Sequence, residues 1–231
     1  MGSIGSNLQE VKRRIALACD GAARPANSVT LLAASKTFGA AAVRQALAAG
    51  QHDFGENYVQ EALAKMGELA ALRPQLQWHL IGPLQSNKTR AVAEAFDWVH
   101  TVDRLKIAQR LAEQRPAGLP PLMVCLQVNV SGEASKSGVL AAELSALAHA
   151  VAALAPGRVQ LRGLMSIPEA AIDFEAQRRA HRVLRGLYDT LRNSGLALDT
   201  LSMGMSADLE AAVAEGATVV RVGSAIFGTR G

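Results

Sequence analysis

The feature that most constrains this chain is an alternation that runs from end to end. A short apolar run is followed by a longer stretch rich in Ala, Leu, Glu, Gln and Arg, and the pattern then repeats. The apolar runs lie at 29–35, 53–55, 76–81, 98–101, 122–130, 159–165, 200–203 and 218–222. Several are apolar at successive rather than alternate positions, which is how strands covered on both faces of a parallel sheet read. Helical stretches fall between them at 40–49, 58–72, 88–95, 104–114, 140–154, 174–193 and 207–214. Gly50, Gly157, Gly195, Gly216, Pro74 and Pro116 mark helix ends.

Eight strands with seven intervening helices predict an α/β chain closed into a single (β/α)8 TIM-type barrel. After the last run only 223–231 remain, too short for a full closing helix, and an extra N-terminal helix over about 8–23 is expected to cover that gap. The alternative, a doubly wound open sheet, lacks a G-x-G-x-x-G after the first strand. No Gly/Ser-rich linker or internal repeat interrupts the pattern, so residues 1–231 read as one domain.

Composition narrows the function classes. With 49% apolar and 19% charged residues the chain has ordinary globular content. No run approaches the roughly 18 apolar residues of a membrane span, and residues 1–10 show no basic segment followed by an apolar core, so no secretory signal is read. Cys19 and Cys125 sit in apolar surroundings and read as buried thiols of a reducing compartment. These features together predict a cytoplasmic protein. The net charge of +4 does not argue for nucleic acid. Arg178, Arg182, Arg185 and Arg192 form the polar stripe of one amphipathic helix, with Ala180, Val183, Leu184, Leu187 and Leu191 opposite. Aromatic residues, at 4%, are too few for base stacking. A mild positive excess also suits a pocket for a small anion.

In a parallel barrel the ligand site lies where the strands end. The first strand closes in Ala33-Ala34-Ser35-Lys36, and an amine at the end of an apolar strand is a candidate for imine formation with an aldehyde. At the second strand end Asn57 either caps the next helix or reaches the barrel mouth. At the third, His79 reads as a general base or as a packing and hydrogen-bonding residue, with Ser86 and Asn87 at a helix start. The last two strands run into Ser202-Met203-Gly204-Met205-Ser206 and Arg221-Val222-Gly223-Ser224, the loops where barrels commonly hold phosphate. Ser206 and Ser224 add hydroxyls, and Ser206 also reads as a helix cap. Arg221, ending an apolar strand, needs either a carboxylate or a ligand. No zincin motif, Walker loop, paired-cysteine motif or nucleophile elbow competes, so no metal ligands are assigned. From the residues alone the site is one for an anionic small molecule with a carbonyl.

Seven ordered stretches carry a resemblance: Ala33-Ala34-Ser35-Lys36; 54–61; 78–88; Ser135-Lys136-Ser137-Gly138; Gly163-Leu164-Met165; 202–208; and 221–228. In these the chain resembles, over essentially its full length, the pyridoxal 5′-phosphate (PLP) homeostasis proteins, themselves similar to the N-terminal domain of alanine racemase. The resemblance implies that PLP is held as an imine on Lys36. Ser206, Gly223 and Ser224 would hold its phosphate, Arg221 would face the pyridine nitrogen, and Asn57 and Met205 would border the ring. It implies for Lys136 either a transit lysine or an exposed one. The racemase takes one acid/base group from a second domain that has no counterpart after Gly231, so a carrier or buffer of PLP without efficient catalysis is expected and no catalytic residue is assigned. The partners expected are apo PLP-dependent enzymes, with no nucleic acid, no membrane and a monomeric state. A racemase- or lyase-like amino-acid enzyme is the alternative.

Overall fold

The computed structural model describes residues 2–132, 136–154 and 157–228; of the 135–138 motif, Ser135 lies outside them. Eight parallel strands form the barrel wall: β1 (Thr30–Ala34), β2 (Asp53–Glu56), β3 (Gln77–Leu80), β4 (Trp98–Val102), β5 (Leu122–Asn129), β7 (Val159–Met165), β8 (Thr200–Ser202) and β9 (Val219–Val222). They are ordered β4-β3-β2-β1-β9-β8-β7-β5, and the β4–β5 pairing closes the sheet on itself. The wall is thus a TIM barrel, as the alternation predicts. Not foreseen is a two-residue strand, β6 (Val139–Leu140), paired to the far end of β5 at Val128 and Asn129.

The helices between strands are α2 (Ala40–Ala48), α3 (Val59–Glu68), α4 (Thr89–Ala95), α5 (Leu105–Gln114), α6 (Ala141–Ala152), α7 (Phe174–Asn193) and α8 (Leu209–Ala214). The N-terminal helix α1 (Ile4–Gly21) begins earlier than expected because the Ser3 hydroxyl accepts from the Ser6 N–H and caps it. Leu8, Val11, Ile15 and Cys19 bury one face of it. It packs against α2, α8 and a final short helix, α9 (Ser224–Phe227), and Asn7 Nδ2 donates to the Ile226 carbonyl at 3.0 Å. The N-terminal helix therefore does cover the closure of the ring.

Strand parity sorts the side chains. On β1, Ala33 packs outward into the main core beneath the helices, whereas Leu32 and Ala34 turn inward with Ile81 and Val219. Lys36 continues the inward series at the barrel mouth. The buried face of α7 is His181, Leu184, Tyr188 and Leu191. Val183, expected on that face, is exposed, and its place is taken by a histidine whose Nε2 bonds to Asp208 at 3.0 Å. The arginine stripe is only partly a solvated face: Arg178 and Arg182 both pair with Glu215, and Arg185 pairs with Asp189. Among the described residues no helix is long and apolar enough to cross a membrane.

Candidate functional site

At the C-terminal ends of the strands lies a cavity of about 530 Å³, within the range of small-molecule sites. Its lining includes all seven residues expected from the sequence: Lys36, Asn57, Met205, Ser206, Arg221, Gly223 and Ser224. Phe38, Ile81 and Ile167 add apolar wall, and Phe38 stacks on Phe227 of α9 with ring centroids 5.0 Å apart. Among the described residues, Lys36 and Arg221 are the only titratable groups in this lining.

Lys36 is half-buried, and its Nζ makes no hydrogen bond or ion pair with the described residues. The turn that carries it is tightly fixed from behind. Thr37 adopts φ = 68°, the left-handed region that a β-branched residue rarely enters. Its N–H donates to Glu61 Oε1 at 2.6 Å, and the Phe38 N–H returns to the Ser35 carbonyl at 3.0 Å. Behind these lies a buried cluster in which Lys65 Nζ donates to Glu56 Oε1 (2.6 Å) and to the Ser35 carbonyl (2.9 Å), while the Ser35 hydroxyl also donates to Glu56 Oε1. Burial pushes the Glu56 carboxyl up, against the pull of Lys65.

Asn57 resolves the choice left open by the sequence. The residue preceding α3 is Tyr58, with no side-chain cap, and Asn57 lines the cavity. Its buried Oδ1 finds no hydrogen-bond partner among the described residues. Gly82 makes this placement possible, because a Cβ there would collide with the Asn57 carbonyl oxygen.

The opposite wall is built from the loops after β8 and β9. Ser206 does not cap α8. The residue at that boundary is Asp208, whose Oδ1 instead accepts from the Met205 N–H at 2.6 Å and so folds the loop back. Arg14 secures it from below through the Ser206 carbonyl, at 3.0 Å. No described acceptor takes the backbone N–H or the hydroxyl of Ser206 or Ser224, or the N–H of Gly223. A Cβ on Gly223 would press on the Ala34 carbonyl at 3.1 Å, so the glycine keeps this edge low and open. A set of unmet donors therefore faces an unpaired lysine across one cavity.

Arg221 is buried, and among the described residues no carboxylate is in hydrogen-bond contact with it. Nη1 donates to the Ser202 carbonyl (2.7 Å) and hydroxyl (2.9 Å), and Nη2 donates to the Ser166 carbonyl (2.8 Å). Burial draws its pKa down to about 10, with Asp208 and Cys125 acting in the opposite sense, so it remains a cation at neutral pH. Three of the five guanidinium N–H groups are thereby taken, which leaves Nε and one hydrogen on Nη2. Ser166 and Ser202, its supports, were not singled out from the sequence. His79 lies in the barrel interior rather than in the cavity lining, and Lys136 lies outside the site, its Nζ 3.6 Å from Glu169.

Known proteins fit this picture. Residues 6–231 match the family described as alanine racemase, N-terminal domain. The chain is 61% identical to the pyridoxal phosphate homeostasis protein of Pseudomonas aeruginosa over 230 residues, covering 100% of this chain and 97% of that one. Its identity to the Escherichia coli K12 protein of the same name is 51%, covering 100% and 98%. The chain belongs to the pyridoxal phosphate homeostasis protein family. Among solved structures, PipY of Synechococcus elongatus with PLP bound is 40% identical, with a TM-score of 0.84, covering 98% of this family member and 100% of PipY. Alanine racemase of Corynebacterium glutamicum, 18% identical with a TM-score of 0.69 over 98% of this chain and 61% of its own, shares the fold.

Proposed function

We propose that this protein binds PLP on Lys36 and serves in PLP homeostasis as a carrier or buffer. PLP bound there would supply an aldehyde, and Lys36 would supply the amine that holds it as an imine. The observation that carries the reading is the pairing of the unpaired Lys36 amine with the unmet donors of Ser206, Gly223 and Ser224 across one cavity. Those donors suit a phosphate in position and in number. Arg221, a cation held by three hydrogen bonds, has N–H groups left over that would meet the pyridine nitrogen, and a permanent cation there would keep that nitrogen unprotonated. Asn57 Oδ1 and Met205, both on the cavity wall, would border the ring. The names of the P. aeruginosa and E. coli relatives, and the PLP bound to PipY, support the same ligand.

The lining favours holding over turnover. Racemisation needs proton-transfer groups on both faces of the substrate carbon, and among the described residues Lys36 is the one lining group placed to exchange a proton. A ring nitrogen kept unprotonated is also a weak electron sink. The buried, unpaired thiols of Cys19 and Cys125, the latter pushed up by burial to about 12, support residence in a reducing compartment and hence the cytoplasm. The recipients in this reading are apo PLP-dependent enzymes, reached by a monomer without nucleic acid or membrane.

The test is turnover against transfer. The PLP-loaded protein is incubated with single amino acids, and separately with an apo-enzyme whose recovered activity reports delivery. The account expects no turnover above that of free PLP, and recovery of the apo-enzyme that depends on Lys36. Turnover far above free PLP that is lost in Lys36→Ala overturns the carrier reading in favour of a racemase- or lyase-like enzyme.

A further inference from the structure

Behind Arg221 a line of buried polar groups runs through the barrel interior to its opposite end. Ser202 Oγ, which accepts from Arg221 Nη1 at 2.9 Å, lies 2.7 Å from His100 Nδ1. His100 Nε2 lies 3.0 Å from His79 Nδ1, and His79 Nε2 lies 3.2 Å from Asp53 Oδ1. Both histidines are buried, and Asp53, the first residue of β2, is part-exposed at the N-terminal end of the barrel. His79 stacks flat on Trp98, with ring centroids 5.5 Å apart and an interplanar angle of 9°, which fixes the plane of its ring.

With one proton on each imidazole, hydrogen-bond chemistry permits one direction along this line. A carboxylate only accepts, so His79 Nε2 must carry a proton toward Asp53. Burial above all holds His100 well below the usual histidine range, so its ring is neutral. Where the Nε2 proton is the one His79 carries, its Nδ1 is an acceptor, and His100 donates to it from Nε2. His100 Nδ1 is then an acceptor too and takes the Ser202 O–H, which turns the lone pairs of that hydroxyl toward Arg221. In the reversed chain the bare lone pair of His79 Nε2 would face the Asp53 carboxylate.

We propose that Asp53, His79 and His100 are positioning residues, which act through Ser202 to set the orientation of Arg221 and so the grip on the cofactor ring. The consequence for PLP rests on the cofactor reading above, whereas the two ring tautomers follow from this chain alone. The arrangement makes a carboxylate at the far end of the barrel a determinant of a site it does not touch. It also gives His79 a role other than general base.

Two measurements test this. In ¹⁵N-histidine-labelled protein at neutral pH, the rings of His79 and His100 are expected to carry their proton on Nε2. An Nδ1 proton on either ring overturns the proposal. In Asp53→Ala, the dissociation constant for PLP is expected to rise roughly 3- to 10-fold, in the lower part of the range of coupling between groups in one hydrogen-bond network. The pH profile of the bound-PLP absorbance should shift with it, a change that a merely structural role for Asp53 does not produce. Unchanged affinity and profile in Asp53→Ala overturn the proposal. Borohydride reduction and peptide mapping of the wild-type protein separate the two readings. PLP fixed on Lys36 together with an unaffected Asp53→Ala overturns this inference alone, whereas PLP absent from Lys36 overturns the cofactor reading itself.

Discussion

Thr37 shows how the site is held at the scale of one residue. A β-branched side chain at φ = 68° carries backbone strain on the order of 1–2 kcal/mol, and the Glu61 carboxylate that accepts its N–H holds it there. The strain sits beside Lys36, the residue proposed to take the cofactor. Thr37→Gly removes the steric conflict and leaves the N–H bond in place, so it is expected to stabilise the fold by about 1 kcal/mol, read as a higher urea midpoint at unchanged slope. A lower midpoint contradicts the assignment of strain. Arg221 is the second residue on which the account turns. Arg221→Ala leaves the Ser166 and Ser202 carbonyls without their donor, and it is expected to weaken PLP retention while leaving the far-UV circular dichroism of a folded barrel. Retention as tight as in the wild type would show that the guanidinium does not contact the ring.

At the scale of elements, the loops that form the donor wall depend on helices behind them. Asp208 holds the Met205 N–H on one side and His181 of α7 on the other, and Glu215, at the end of α8, receives Arg178 and Arg182 from α7. Burial raises the Glu215 carboxyl, but the hydrogen bonds from the two arginines outweigh it and hold it below the usual 4.5. A depressed carboxylate contributes stability that is complete above its unfolded value and is lost as pH falls through its folded value. Thermal stability is therefore expected to be level in this contribution above about pH 4.5 and to decline below it, with Glu215→Gln less stable at neutral pH and the gap closing in acid. A gap that stays constant from pH 7 to pH 3 contradicts the pairing.

The same elements show what a single sequence makes legible. Parallel strands read as continuous apolar runs, so all eight barrel strands stand out, and strand parity carries Lys36 to the mouth. The apolar pattern placed Val183 on the buried face of α7, because nothing local announces that His181 would be buried against Asp208. Ser206 reads as a cap because its type and position fit one, yet the loop folds back through Asp208 instead. The supports of Arg221 and of Thr37 are contacts between residues far apart in the chain, such as His100 with Ser202 or Thr37 with Glu61. Local periodicity carries no signal for these.

At the scale of the whole molecule, the barrel gathers groups from β1, β2, β8 and β9 at one end, and α1 and α9 complete the ring where a closing helix would stand. The result is a cavity rich in donors for an anion, in which, among the described residues, Lys36 is the one unpaired amine. On this combination rests the proposal that the protein holds PLP rather than turning over a substrate with it. The most direct test of the central claim is to incubate the purified protein with PLP, reduce it with borohydride and map the modified peptide. The account predicts that the label falls on Lys36, in one equivalent per chain, and is lost in Lys36→Ala. Label scattered over surface lysines such as Lys136, or no label at all, would contradict it.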